Sequence, residues 1–254
     1  MADTTTVAAG TPSWVDLGSP DVDASVKFYG DLFGWTADPG SPEFGGYRML
    51  RSNGKQVAGV GPLMNPQQPP AWTTYVSVDN ARATSDKAKK AGGQVLVETM
   101  QVGDAGSMAI LQDPTGAVFG LWQPNQHKGA EVFNQPVSLT WNELSTRDPE
   151  AAKRFYSAVF GWDPHTNGEG AEAYTEWHLG GKSIGGMMQT PAQVPPQVPP
   201  YWLSYFTVAD CEATVQKAQS LGGTVMMPKT SIPQGTFAVL ADPAGAAFAV
   251  IQPA

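Results

Sequence analysis

The sequence predicts an α+β fold made of four strand–helix–strand–strand–strand modules, arranged as two tandem domains. Three repeats carry that prediction. "SWVDLGSPDVDASVKFYGDLFGW" (residues 13–35) returns as "TWNELSTRDPEAAKRFYSAVFGW" (140–162), with Trp14, Leu17, Asp21, Ala24, Phe28, Tyr29, Phe33, Gly34 and Trp35 all matched in kind. "WTTYVSVDNARATSDKAKKAGGQV" from Trp72 returns from Trp202, and "DPTGAVFGLWQP" from Asp113 returns from Asp242. Self-similarity on this scale marks a duplicated domain, and it fixes the order of elements in both halves.

Each element has a local cause. A short strand at 14–18 leads to a helix that Asp21 opens, as Asp148 does in the second copy with Pro149 just inside. Asp accepts from the free amides of a first turn, and Pro suits the first helical position. Ala24, Phe28 and Leu32 fall four apart, giving an apolar stripe that must cover a sheet. Short strands follow, with Asn53-Gly54 and Gly180-Gly181 as hairpin turns. After a Pro-rich connector the pattern restarts with a strand at 73–78 and a helix from Asn80 to Gly92-Gly93, where glycine suits the closing left-handed turn. Three more strands complete the half, with Asp113-Pro114-Thr115-Gly116 as a type I turn. The expected layout is a flexible N-terminus at 1–11, domains at 12–125 and 137–254, and a linker at 126–136.

Composition narrows the function. With 41% hydrophobic and 10% aromatic residues the 254-residue chain can bury a full core. A net charge of -8, with Lys and Arg scattered, disfavours nucleic acid as a partner. The first ten residues lack a basic start and a long apolar run, so they do not read as a signal peptide, and no stretch is long enough to span a bilayer. The single cysteine, Cys211, reads as a small core or helix residue, and the expected compartment is the cytoplasm. Trp35 and Trp162 read as core, and Trp72 and Trp202 as pins for the connectors.

The "D…FY…FGW" helix, the "DPTG" and "DPAG" turns and the count of four modules resemble the vicinal oxygen chelate superfamily, which includes glyoxalase I, extradiol dioxygenases and bleomycin-resistance proteins. Residues 12–253 look like its tandem two-domain glyoxalase/bleomycin-resistance-like members. The resemblance implies curled mixed sheets with helices outside and a ligand within. It also implies where metal ligands would stand in metal-using members: at Trp14, Thr73 and Gly120 in the first half, and at Trp141, Leu203 and Ala249 in the second. Divalent metals need imidazole or carboxylate donors, and these six positions offer one hydroxyl. His127, in the joint, and His165 and His178, in the second half, read as surface or edge residues. The expectation is no metal and no cofactor.

Residues two apart on a strand share a face. Trp14 therefore takes Asp16 with it, Trp141 takes Glu143, Thr73 takes Tyr75, Leu203 takes Tyr205, and Gly120 takes Trp122. Tyr47, Trp177 and Met187 are further ligand-facing candidates, as are Met49 and Met188. Val15, Leu17, Val76, Val78, Phe119 and Leu121 are expected to face the helices. Gly120 and Ala249 are expected to leave room where a metal would sit, beside aromatic walls suited to a flat ligand. The favoured reading is metal-independent binding of a small aromatic metabolite or antibiotic, its cationic group paired with Asp16 or Glu143. A metal-free enzyme with Asp16 or Glu143 as general base and Tyr75 or Tyr205 as proton donor is the alternative, and a glyoxalase or dioxygenase with displaced ligands is third. A duplicated chain supplies both halves of such an assembly, so a monomer is expected and a dimer stays open.

Overall fold

The computed structural model describes residues 7–254. The first half runs β1 (Pro12–Ser19), α1 (Val22–Phe33), β2 (Thr36–Ala37), β3 (Arg48–Ser52), β4 (Lys55–Pro62), β5 (Ala71–Ser77), α2 (Ala81–Lys90), β6 (Gln94–Val102), β7 (Gly106–Gln112) and β8 (Val118–Pro124). The second runs β9 (Leu139–Thr146), α3 (Pro149–Phe160), β10 (Asp163–Asn167), β11 (Tyr174–Leu179), β12 (Lys182–Gln189), β13 (Tyr201–Thr207), α4 (Cys211–Ser220), β14 (Thr224–Ile232), β15 (Gly235–Ala241) and β16 (Ala247–Pro253). The four modules of the α+β prediction are all present. In each, the first strand pairs in parallel with the last, and the hairpin strands add antiparallel pairs, so the sheets are mixed.

The local signals act as the sequence says. Asp21 accepts from the Ala24 amide at 3.0 Å and Asp148 from that of Ala151 at 2.9 Å. Asn80 and Asp210 cap α2 and α4 in the same way. Asn53 and Gly54 both take positive φ, 50° and 79°, which gives the tight turn between β3 and β4. Residues 1–6 of the expected flexible terminus lie outside the described residues. Gly10 and Thr11, by contrast, are tied in: the Gly10 amide donates to Ser77 O, the Ser77 amide to Thr11 O, and Trp162 Nε1 to Gly10 O.

The chain divides into two compact units that cut across the sequence halves. Of the described residues, the first unit takes 7–14, 74–129 and 141–203; the second takes 15–73, 130–140 and 204–254. The first unit thus combines the second and third modules, and the second unit combines the first and fourth. In the first unit Val76, Val78, Phe119 and Leu121 pack with Phe155, Tyr156, Val159 and Trp162. In the second unit Val15 and Leu17 join Phe28, Tyr29, Phe33 and Trp35 with Phe206, Phe248 and Val250. The strand residues expected to face the helices do so.

Each unit is pinned by one buried polar chain, and the two chains are copies. In the second unit Trp72 Nε1 donates to Tyr29 Oη (3.0 Å), which donates to Asp242 Oδ2 (3.1 Å). Asp242 Oδ1 accepts from the amides of Ala244 and Ala246. In the first unit Trp202 Nε1 donates to Tyr156 Oη and Tyr156 to Asp113 Oδ2, both at 2.9 Å. The "FY" of the helix and the "DP" of the turn recur because each copy's tyrosine reaches the aspartate of the other copy. Trp72 and Trp202 are core members of these chains, more than pins for the connectors. Cys211 is buried at the start of α4. No described helix is long and apolar enough to cross a membrane.

Burial, and next the adjacent carboxylate, hold the phenols of Tyr29 and Tyr156 well above their ordinary pKa. Below about pH 10, the unfolded value, the contribution of these phenols to stability does not vary with pH. Above it the unfolded chain releases protons that the folded chain keeps, so stability falls as pH rises. In an alkaline titration followed by phenolate absorbance, Tyr29 and Tyr156 are expected to stay silent until the protein unfolds. Their titration in the folded protein would contradict the buried chains.

Candidate functional site

The most fully built polar cluster lies on the first unit's β9, β11 and β12. Leu144 points into the helix-covered core, so Trp141 and Glu143 occupy the other face. Glu143 stands beside Gly186 of β12, and Gly186 beside Glu176 of β11. The ring of Tyr174 lies over Gly186, where a Cβ would overlap the phenol oxygen and crowd Trp141 Nε1. Trp141 Nε1 donates to Tyr174 Oη at 2.9 Å, and Tyr174 Oη donates to Glu143 Oε2 at 2.8 Å. Glu143 is 8% exposed. Burial first, and then the Glu143 charge, raise the Tyr174 phenol pKa, so it is a committed donor.

The second unit holds the simpler copy. Asp16 stands beside Gly59, the Tyr47 ring lies over Gly59 and Gly61, and Tyr47 Oη donates to Asp16 Oδ2 at 3.3 Å. Tyr174 was not among the sequence candidates, although the 127-residue offset from Tyr47 to Tyr174 carries the signal.

The other predicted residues are placed as follows. In the first unit Tyr75 pairs with Gly120, and its ring fills the space that the missing side chain opens, overlapping any Cβ there. This corrects the expectation that Gly120 leaves room for a guest. Trp122 is buried and spends its N–H on His127 O at 2.9 Å. Trp14 is 3% exposed. The His127 ring packs edge-to-face on Trp14 (4.4 Å) and on Trp122 (5.5 Å), so this residue, expected at the surface or an edge, is half-buried between two indoles. Leu203 is buried; Thr73, which belongs to the second unit, is half-buried. In the second unit Ala249 is buried beside Tyr205, whose ring meets Phe237 at 6.0 Å.

Two candidates sit on the opposite face. Trp177 packs against Tyr156 and Trp162, and Met187 joins the same core. They are helix-side residues because β11 and β12 start one residue out of step with the alternation assumed from sequence. Met49, beside Gly59, and Met188, beside Tyr174, keep the site face. His165 and His178 stack on each other at 4.0 Å on the β10–β11 hairpin, each near a carboxylate, Asp163 or Glu176.

Strand pairing adds residues that single-strand parity could not. Ile110 pairs with Gly120, Met108 with Trp122 and Met100 with Met108; Val118 shares the strand parity of Gly120. Met100 (48% exposed) and Val118 (38%) are uncovered. In the second unit Val239 pairs with Ala249, Phe237 with Ile251 and Met227 with Val239.

Against these faces the metal-ligand positions can be tested. An indole, a hydroxyl and a glycine in one half, and an indole, an isobutyl group and a methyl in the other, do not make a donor set. Among the described residues no group of three or more His, Cys, Asp or Glu is placed to hold a metal ion. The residues present do not fit a divalent ion at the six positions that the resemblance assigns to metal ligands.

The family model described as "Glyoxalase/Bleomycin resistance protein/Dioxygenase superfamily" matches residues 11–121 and again 138–250. The chain belongs to this superfamily. Its relatives within it are close over the whole length. "Putative glyoxylase CFP32" of Mycobacterium tuberculosis is 44% identical over 253 residues, 96% of this chain and 95% of that protein. "Anthracycline biosynthesis protein DnrV" of Streptomyces peucetius is 41% identical over 266 residues, 98% of this chain and 95% of that one. Among solved structures, an Mn(II)-bound glyoxalase from Novosphingobium aromaticivorans superposes with a TM-score of 0.65 over 96% of this chain and 82% of that one, at 13% identity. The 2,3-dioxygenase LapB from Pseudomonas sp. KL28 gives 0.65 over 97% and 93%, at 11% identity. At such identities the likeness speaks for the superfamily fold.

Proposed function

We propose that this superfamily member binds a flat aromatic metabolite of the anthracycline kind, without a metal. One observation carries the reading: the strand faces where metal-using relatives hold their ligands here carry aromatic and apolar side chains around a tyrosine–carboxylate pair. Tyr75, Met108, Ile110, Met100 and Val118 offer an apolar wall in the first unit, on which a flat ligand buries apolar surface at about 25 cal/mol per Å². At the Trp141–Tyr174–Glu143 chain, indole and phenol hydrogens are already spent on the chain, so the cluster meets a ligand as a net acceptor with negative charge. It suits a ligand donor such as the ammonium of an amino sugar. The relatives named for anthracycline biosynthesis support that choice of ligand class.

Titration with doxorubicin while following tryptophan fluorescence tests this. Saturable quenching is expected, weakened by added salt, and Glu143→Gln is expected to weaken doxorubicin several-fold more than an uncharged planar ligand. Absence of quenching across a panel of planar aromatic compounds would sink the proposal. A second reading rests on the buried Tyr174–Glu143 bond: Glu143 as general base with a tyrosine as proton donor. In that case Glu143→Gln would abolish turnover of a bound ligand while binding survives.

A further inference from the structure

The two copies of the first helix and its hairpin differ at one place on the helix side of the strands. In the first copy Arg48 of β3 crosses to the first turn of α1, where its Nη2 donates to Asp23 Oδ1 at 2.5 Å. The 127-residue offset puts Thr175 of β11 in place of Arg48, and Glu150 of α3 in place of Asp23. Strand register agrees: Arg48 pairs with Val60, and Thr175 with Met187, which is again 127 further on. The short Thr175 side chain does not cross to the helix and instead hydrogen-bonds the Thr166 hydroxyl of β10 at 2.8 Å.

The shorter residue lines a groove of about 380 Å³ between the start of α3 and the β10–β11 hairpin, all within the first unit. Buried Met187 and Thr175 form its floor, and Glu150, Glu169 and Lys153 stand at its rim. Lys153, where the first copy has Val26, donates to Glu150 Oε1 at 2.8 Å. It supplies the charge of Arg48 from the helix surface, without the volume of that residue's stem and guanidinium. Glu169, where the first copy has Pro42, adds a second carboxylate. The groove therefore keeps the carboxylate that meets a guanidinium in the other copy, and gains space and one more negative group. Thr175 and Met187 alternate with Tyr174 and Gly186, so it lies across the strands from the Tyr174–Glu143 cluster.

We propose that this groove is a second binding site, for a guanidinium carried on a short aliphatic stem, which takes the place that Arg48 fills in the other copy. The stem lies on Met187, and the guanidinium presents its planar fork of donors to the carboxylates of Glu150 and Glu169. A free guanidino compound and an arginine side chain of a peptide share this chemistry.

Amide NMR titrations of the full chain test this with n-butylguanidine, its neutral isostere n-butylurea, and a capped glycine-arginine-glycine peptide. Saturable shifts in the millimolar range, confined to groove residues such as Thr166, Glu169 and Thr175, are expected with butylguanidine and not with butylurea. Peptide binding as tight as that of butylguanidine would identify an arginine side chain as the source, and butylguanidine binding alone a free compound. Thr175→Arg, which restores the first copy's residue, is expected to fill the groove and weaken butylguanidine at least about tenfold. Glu150→Gln is expected to weaken it about three- to fivefold. Shifts that do not saturate, equal shifts with butylurea, or unchanged affinity in Thr175→Arg would overturn the proposal. If Thr175→Arg does not fold, Glu150→Gln decides, because that side chain is 70% exposed; unchanged affinity there overturns the proposal as well. None of these outcomes bears on aromatic binding at the other face, which the doxorubicin titration tests separately.

Discussion

Asp113→Ala is expected to destabilise the first unit by about 3–5 kcal/mol, the largest effect of any single change proposed here. Its Oδ1 accepts from the amides of Thr115, Gly116 and Ala117 and from the Thr115 hydroxyl, at 2.7–3.0 Å. Its Oδ2 accepts from the fully buried Tyr156. Removing the carboxylate strands a turn and a phenol together, and each unsatisfied buried group costs about 1–3 kcal/mol. Tyr156→Phe, which strands Trp202 Nε1 and one carboxylate oxygen, should cost about 2 kcal/mol by the same rule. Asp113→Asn should fall between, since its amide oxygen can still serve the turn. Urea unfolding of the three variants checks the order. An Asp113→Ala protein within about 1 kcal/mol of wild type would show that the buried chain does not hold the unit together.

Gly186→Ala is expected to eject Tyr174 from Glu143. The added methyl would overlap the phenol oxygen and crowd Trp141 Nε1, and the alternative, moving β12, breaks its pairing with β9 and β11. Overpacking of this kind costs about 1–3 kcal/mol. Affinity for doxorubicin should fall at least about tenfold, roughly 1.4 kcal/mol, because the acceptor cluster loses its geometry. The displaced phenol should also become titratable in the folded protein, which alkaline absorbance would detect. Combining Gly186→Ala with Tyr174→Ala isolates the clash with the phenol: the double variant should lose less stability than the sum of the two single changes, since only the crowding of Trp141 Nε1 remains. Unchanged doxorubicin binding in Gly186→Ala would remove the tyrosine–glutamate pair from the site.

Much of the site was legible one strand at a time. Alternation places Trp141 with Glu143, and Trp14 with Asp16, because the period of two is a property of any extended chain. It misplaced Trp177 and Met187, because parity needs a starting residue and the hairpin loops do not reveal theirs. Comparison of copies would have corrected this: Trp177 aligns with Leu50, also core, and Tyr174 with Tyr47. Gly120 misled in another way. A missing side chain reads as open space in a sequence, yet a neighbouring strand's Tyr75 can claim that space, and here it does. His127 was passed over because a joint residue has no periodicity to announce where its ring will go.

The sequence by itself determined the modules, their caps and turns and the helix-facing stripes. All of these depend on residue type and on neighbours a few positions apart. Only the tertiary structure decided that the second module shares a core with the third and the first with the fourth. It alone showed that Tyr29 reaches Asp242 and Tyr156 reaches Asp113, and that an imidazole from the joint packs on Trp14. Those are contacts between segments far apart in the chain. They are set by which apolar faces and buried polar groups satisfy one another in space, and no local pattern encodes that choice.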